Sequence, residues 1–185
     1  FSASGNDTTG NGTQLNPWKS IAKAQQVITT SGGNVAILFQ RGDEFESTTG
    51  IDITLPNVTI GAWGNVNLPK PLLSAFTIKY PSGGWTQVAG TNRWTRSAPT
   101  RVGWIRESTT DSTRLMPFRY VASSSLVEAT TRSFFWDGTT LHFNPGTGIN
   151  PNAINYEAVG DVADDGIDVS GDAALVTDIR ADGWG

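Results

Sequence analysis

The sequence predicts an all-β protein that begins as a solenoid, a stack of similar coils. A unit of strand, polar corner and strand occurs twice, at residues 50–64 and 166–185, and both copies end in Trp-Gly. Repeated units of this kind indicate stacked coils, because each coil buries its apolar side only against a neighbour. With 21 glycines and 16% charged residues, the composition also favours β-structure with many tight turns.

The first element along the chain is predicted to be a helix over about residues 17–29. Asn16 is a suitable N-cap, Pro17 suits the first helical position, and Ser31-Gly32-Gly33 ends the pattern. The positions with helical spacing are Trp18, Ile21, Ala22, Gln25 and Ile28. We expect this helix to cover the open end of the solenoid, where apolar side chains and an unpaired strand edge would otherwise be exposed.

The next elements are short β-branched strands separated by polar corners. The Arg41-Gly42-Asp43 tripeptide is interpreted as a structural turn, since a short motif alone is weak evidence of an integrin ligand. We expect the solenoid strands to lie in parallel ladders of one stack, with their apolar side chains aligned inside. These strands are Val35–Phe39, Ile51–Ile53, Val58–Ile60, Ile167–Val169 and Val176–Ile179.

Residues 65–160 interrupt the solenoid pattern with short strands and turn signals, which predicts an inserted antiparallel β-module. The chain is thus divided into an N-terminal cap with the first coils (1–64), the module (65–160) and a resumption of the coils that is truncated (161–185). Within the module, Asp137-Gly138 predicts a hairpin with a type I′ turn. That hairpin would place Phe135 across from His142.

Composition and charge exclude several classes of function. A net charge of −4 argues against nucleic-acid binding, which calls for a basic face. No stretch is long and apolar enough to span a bilayer, and cysteine is absent. The chain begins at Phe1, so we expect it to be processed or part of a longer protein. Most of the seven Trp should be core, and any exposed subset suits stacking on sugar rings.

Several segments together resemble the amino-terminal entry of right-handed parallel β-helix proteins of the pectate-lyase-like superfamily. They are Ser4-Gly5-Asn6-Asp7, Asn16-Pro17-Trp18-Lys19, the Arg41-Gly42-Asp43 turn with Phe45, and Val58-Thr59-Ile60-Gly61-Ala62-Trp63-Gly64. The module is similar too, around Trp94, Trp136-Asp137-Gly138, Pro151-Asn152 and Tyr156-Glu157. The resemblance implies an all-β fold: the start of a right-handed parallel β-helix with an N-terminal capping helix and a β-rich insertion.

The resemblance also implies a range of functions. The superfamily includes polysaccharide lyases, glycoside hydrolases, epimerases, phage tail spikes and non-catalytic adhesins. We expect the amino-terminal part of an extracellular protein that binds and degrades a polysaccharide, as a lyase or a glycoside hydrolase. The alternative is a tail spike, which would be a homotrimer, or an adhesin on a virion or cell surface. The family's catalytic residues lie in middle coils that would follow Gly185, so catalytic and carbohydrate-binding residues stay unassigned here.

The densest acidic cluster supplies the candidate metal ligands Asp164, Asp165 and Asp168. Oxygen ligands that are close in sequence suit Ca²⁺, and the segment is similar to the "DDG.D" calcium motif of some lyases. Calcium there would offset the charge of a substrate uronate. The interpretation that we favour is structural, because Asp-Gly is common in turns. Strand alternation also places Asp168 outside, opposite Ile167.

Two further groups of side chains are candidates for chemistry. His142 is the only histidine and alternates with apolar neighbours on a hairpin strand; with no paired nucleophile it indicates no catalytic triad. Four arginines flank Trp104 and Phe118, and they would suit an anionic glycan or simply solvated strand faces. These arginines are Arg101, Arg106, Arg114 and Arg119.

Overall fold

The structure is a computed structural model that describes residues 1–108, 118–160 and 166–184. These residues are mostly β, and they divide between two compact units: unit 1 (Phe1–Ala75 and Val162–Gly185) and unit 2 (Phe76–Asp161). The elements in chain order are α1 (Ile21–Ser31), β1 (Val35–Gln40), β2 (Glu44–Glu46), β3 (Ile51–Ile53), β4 (Val58–Trp63), β5 (Leu72–Ser74), β6 (Ile78–Tyr80), β7 (Thr86–Gln87), β8 (Trp94–Ser97), β9 (Trp104–Glu107), β10 (Arg119–Tyr120), α2 (Ser124–Ala129), β11 (Ser133–Trp136), β12 (Thr140–Asn144), β13 (Tyr156–Val159), β14 (Ile167–Val169), β15 (Leu175–Val176) and β16 (Arg180–Asp182).

Helix α1 starts four residues later than its sequence pattern predicts, so the assignment of Asn16 as N-cap is wrong. Ser20 is the N-cap, and its hydroxyl accepts a hydrogen bond from the Lys23 N–H at 3.0 Å. The preceding residues stay extended because the Asp7 carboxylate accepts the N–H groups of Lys19 and Ser20 at 2.7 and 3.1 Å. The predicted stop is confirmed, since Gly32 has φ 73° in the left-handed region.

The strands of unit 1 form three parallel sheets. β3, β4 and β5 each pair with a different later strand, namely β14, β15 and β16 in the same order. β1 and β2 extend two of these sheets by pairing with β4 and β5. The predicted parallel pairing of the two sequence copies is therefore present, with Ile51 opposite Ile167 and Ile60 opposite Val176.

Two details of unit 1 differ from the sequence patterns. The predicted strand Val176–Ile179 is wrong at its end, because Asp178 adopts a positive φ of 63° and turns the chain after β15. Its carboxylate forms ion pairs with Arg41 and with Lys70. In addition β5, which falls within the range 65–160 given to the module, pairs in parallel with β2 and β16 of unit 1.

The apolar core of unit 1 joins α1 to the parallel strands. Ile21 and Ile28 of the helix are each 1% exposed and cluster with the side chains of Phe39 and Ile53. The Gln25 side chain donates to the Asp52 carbonyl at 3.1 Å and accepts the Asp52 N–H at 2.8 Å. One amide side chain thus satisfies the main chain of β3 on the side that faces the helix.

Unit 2 contains two sheets that share one aromatic core. The first sheet has the antiparallel order β6-β13-β9, and the second has the order β10-β11-β12-β8-β7, in which only the β10–β11 pair is parallel. Tyr156 and Phe143, from β13 and β12, pack with ring centroids 4.9 Å apart. Helix α2, which the sequence patterns did not predict, packs against β11 and β12 with Ser123 as its N-cap.

The predicted hairpin is present between β11 and β12, but its turn is not type I′. A type I′ turn needs positive φ at both central residues, whereas Gly138 has φ 109° and Asp137 is not in that region. The Asp137 carboxylate instead accepts hydrogen bonds from the N–H groups of Thr139 and Thr140 at 3.0 and 2.8 Å. These side-chain hydrogen bonds hold the turn in its conformation. The predicted pairing of Phe135 with His142 is confirmed.

Candidate functional site

Unit 1 has a cleft of about 420 Å³ at the open edge of β1. It lies between that edge, helix α1 and the loop of residues 12–14. Its lining is mainly apolar and includes Phe1, Trp18, Val27, Ala36, Leu38 and Trp63. Ligand sites are commonly clefts of roughly 300–1,000 Å³ with apolar walls and few polar groups, so this cleft has the size and character of a binding site.

Trp18 forms one wall of the cleft and is fixed by the loop. Its indole N–H donates to the Gly10 carbonyl at 2.9 Å. Gly12 packs so closely that a Cβ there would lie 2.5 Å from Cζ3 of the ring, and its φ of 79° also favours glycine. The Trp18 ring is already engaged, with Lys23 Nζ 5.4 Å and the Phe1 ring 5.7 Å from its centroid. Trp18 therefore acts mainly as a packed wall.

Trp63 forms the second aromatic wall, at the end of β4. Its indole N–H donates to the Phe1 carbonyl at 3.0 Å, which fixes the ring orientation. Across the described residues, no aromatic or cationic side chain stacks on the Trp63 ring. Trp63 thus offers an oriented and partly exposed π-surface to the cleft. Two weak signals in the sequence pointed to this site, namely the high Trp count and the Trp-Gly ending of the first repeat.

Two carboxylates share a row on another sheet of unit 1. The register places Glu46 of β2, Ser74 of β5 and Asp182 of β16 side by side. Two strand spacings separate the outer backbones by roughly 9.5 Å. Carboxyl separations in inverting glycosidases are about 6.5–9.5 Å, but this spacing joins two backbones and not two carboxyl groups. All three side chains also have further partners, so the row is a weaker candidate than the cleft.

The main ionic cluster of unit 2 surrounds Glu157, which is 8% exposed. Arg106 donates to Oε2 from Nε and Nη2 at 2.9 and 2.7 Å, while Lys79 and Ser108 donate to Oε1 at 3.0 and 2.9 Å. Burial opposes ionisation of Glu157, but the hydrogen bonds from Lys79 and Arg106 outweigh burial and lower its pKa. A carboxylate held in this way is a structural anion rather than a proton acceptor.

Of the arginines around Trp104 and Phe118, Arg101 and Arg119 are exposed, whereas Arg106 is partly buried. Arg106 is committed to Glu157, and its guanidinium lies 3.9 Å from the Phe76 ring centroid. Phe118 is buried beneath Arg132, 4.4 Å from the ring centroid, and Arg132 pairs with Glu107 at 3.2 Å. Arg114 lies outside the described residues. The geometry therefore favours packing and ion pairing for Arg106 over capture of an anionic glycan.

His142 forms an ion pair or hydrogen bond within its own hairpin. Its Nε2 lies 2.9 Å from Asp137 Oδ2, and its ring stacks on Phe135 at 5.9 Å between centroids. The contact with His142 and the turn N–H groups lower the pKa of Asp137. Nδ1 of His142 is buried without a partner, and within the described residues no nucleophile completes a triad. The pair stabilises the hairpin.

The calcium candidates fall only partly within the described residues. Asp164 and Asp165 lie outside them. Asp168 is exposed on β14 and is in register with the exposed Asp52 of β3. Among residues 1–108, 118–160 and 166–184, no group of three carboxylate, imidazole or thiol side chains could hold a metal ion. The calcium site therefore stays a prediction, and so does the favoured turn interpretation.

We expect calcium to leave the melting temperature unchanged. Bound Ca²⁺ would stabilise the fold by RT ln(1 + [L]/Kd), about 2.7 kcal/mol at a hundredfold excess over Kd. The check is differential scanning calorimetry in EDTA and in millimolar Ca²⁺, on the native chain and on Asp168→Asn. The variant should be slightly more stable in both buffers, because like charges directly opposite each other destabilise a ladder. Calcium-dependent stabilisation of the native chain alone would restore the metal site.

Comparisons with known proteins place the chain by its fold. No protein-family model and no curated protein matches it. Among solved structures, the chain is similar to "The complex structure of XylC with xylose", with a TM-score of 0.60, 16% identity and coverage of 95% of this chain. A structure described as "Glycoside hydrolase" aligns with a TM-score of 0.38 and 12% identity over 90% of this chain, a likeness that carries no argument. At these identities the first likeness shows the fold alone.

The chain spans only part of the length of these neighbours, 33% of the XylC chain and 40% of the glycoside hydrolase chain. None of the helices of the described residues combines the length and apolar character that crossing a membrane requires. The fold likeness therefore does not assign an activity to a whole protein that contains this chain.

Proposed function

We propose that the chain is the amino-terminal part of a right-handed parallel β-helix protein that binds and degrades a polysaccharide, as a glycoside hydrolase or a lyase. Its place of action would be outside the cell or at a surface, where such polymers are found. The observation that carries the proposal is the cleft with its two tryptophan walls. Aromatic rings provide a large apolar surface with a defined geometry, which suits the apolar faces of sugar rings.

The architecture of unit 1 supports the β-helix part of the proposal. Three strands in succession enter three different parallel sheets, and three later strands enter the same sheets in the same order. Such an order is expected when a chain winds in coils that stack on each other. α1 packs on β3 at the position where the first coil lacks a strand, which fits a capping helix. The fold likeness to the structure of XylC with xylose, over 95% of the chain, supports the carbohydrate part of the proposal.

The test of this proposal is carbohydrate binding by the purified chain. We expect migration in native gels to be retarded by at least one polysaccharide from a panel of neutral and uronate polymers, and isothermal titration calorimetry to confirm it with oligosaccharides. We also expect no release of reducing or unsaturated ends, since no carboxylate of the described residues lines the cleft. Absence of binding to every polymer would contradict the proposed function, and cleavage would place catalysis within this chain.

A further inference from the structure

We infer that the cleft at the open edge of β1 binds one uncharged sugar ring, stacked on Trp63 and hydrogen-bonded by Gln14 and the β1 main chain. This inference rests on the proposed function and adds the class of ligand and the residues that hold it. The ligand class is a neutral pentose or hexose unit, as opposed to a uronate.

The two tryptophans of the cleft differ in what already covers them. Lys23 and Phe1 lie against the Trp18 ring, so a ligand would have to displace one of them to stack there. Trp63 has its N–H satisfied by the Phe1 carbonyl, while its faces contact no aromatic or cationic side chain of the described residues. A ring with a fixed orientation pays little conformational entropy on binding. Trp63 is therefore the stacking surface.

The cleft also offers hydrogen-bonding groups to a ligand. Gln14 lines it with an exposed amide that has no partner in the described part of the chain, and this amide can both donate and accept. β1 is the edge strand of its sheet, and Phe1 engages this edge only at the Leu38 carbonyl and the Gln40 N–H, at 2.7 and 2.9 Å. The residues of β1 that precede Leu38, namely Val35, Ala36 and Ile37, also line the cleft. Sugar hydroxyls can both donate and accept, which matches this mixed set.

The charge of the lining selects against a uronate. No charged side chain of the described residues lines the cleft. The α-ammonium group of Phe1 donates to the Leu38 carbonyl at 2.7 Å, and burial lowers the pKa of this group. Lys23 is directed onto the Trp18 ring and donates from Nζ to Gln26 at 2.9 Å. A carboxylate placed among apolar walls loses hydration that the lining side chains do not replace, and the net charge of −4 adds a general repulsion of polyanions. A neutral ring carries neither cost.

The experiment compares neutral and acidic ligands on the whole chain by isothermal titration calorimetry. Neutral probes are xylo-, arabino- and cello-oligosaccharides, and the acidic probes are oligogalacturonate and oligoguluronate. We expect neutral binding whose Kd changes little between 50 and 500 mM NaCl. Trp63→Ala should weaken it roughly tenfold or more, as expected for an aromatic anchor. Trp63→Phe should retain most of the affinity, and Gln14→Ala should lose a smaller part.

Trp104→Ala is the matched control, because Trp104 is 45% exposed and lies in unit 2; it should leave affinity unchanged. Circular dichroism melting of each variant separates lost binding from lost folding. Preference for uronates, or neutral binding that survives Trp63→Ala in a folded protein, would overturn this inference while leaving the proposed function standing. Failure to bind any probe would overturn both. Affinity lost in Trp104→Ala but kept in Trp63→Ala would move the site to unit 2.

Discussion

Replacing Ile21 with Asp is expected to lower the free energy of unfolding of unit 1 by about 3 kcal/mol or more. Ile21 is 1% exposed and belongs to the cluster that joins α1 to β1 and β3. The substitution removes a buried aliphatic side chain, for which about 2–5 kcal/mol is typical, and adds an unpaired carboxylate to an apolar site. Urea unfolding followed by far-ultraviolet circular dichroism measures the change.

Ala22→Asp is the matched control for this prediction. Ala22 is the next residue of the same helix, is exposed and lies in the first turn, where an acidic side chain is favoured by the helix dipole. The control should therefore be neutral or slightly stabilising. Equal stability of Ile21→Asp and the native chain would show that α1 does not pack as the structure has it.

The parallel ladders of unit 1 could be predicted because their signal is local and repeated. Ile51-Asp52-Ile53 and Ile167-Asp168-Val169 alternate in the same phase, and matching phase is what in-register pairing of two strands requires. The stop of α1 at Gly32 was predictable for the same reason, since a glycine in the left-handed region ends many helices.

The start of α1 could not be predicted, because long-range contacts decide it. Asn16 and Pro17 have the correct local chemistry for a helix start, but Asp7 takes up the N–H groups of Lys19 and Ser20. The turn of the β11–β12 hairpin was missed for a related reason. Asp-Gly favours type I′ by its backbone preference, whereas the Asp137 side chain organises the turn through Thr139 and Thr140.

The cleft lay beyond sequence reasoning because its walls come from distant segments. Trp18, Leu38 and Trp63 belong to a loop, β1 and β4, and no spacing in the sequence relates them. Composition identified Trp as the residue type, but not which of the seven would be exposed to a cleft. The acidic segment shows the reverse situation, because its residues are close in sequence and were therefore easy to single out as metal ligands. These residues are Asp164, Asp165 and Asp168, although strand alternation turns Asp168 outward.

Replacing Glu157 with Gln is expected to destabilise unit 2 by about 3 kcal/mol. The substitution keeps the shape of the side chain but removes the negative charge that Arg106, whose side chain is 19% exposed, contacts at 2.7 Å. Removing one partner of a buried ion pair costs about 3–5 kcal/mol, and the lower end applies because Lys79 is 42% exposed and can turn to solvent. Thermal unfolding followed by near-ultraviolet circular dichroism reports on the aromatic core of unit 2.

The pH dependence of this difference tests the ionic origin of the effect. The pKa of Glu157 in the folded protein lies below its ordinary value of 4.5, so the unfolded chain binds the proton more tightly. The stabilisation is then fully present above about pH 4.5 and is lost as the pH falls through the folded pKa. The difference in stability between the native chain and Glu157→Gln should become smaller in that acidic range. Glu128→Gln, an exposed control on α2, should be as stable as the native chain at every pH. A gap that stays constant from neutral to acidic pH would mean that Glu157 acts by packing and not by its charge.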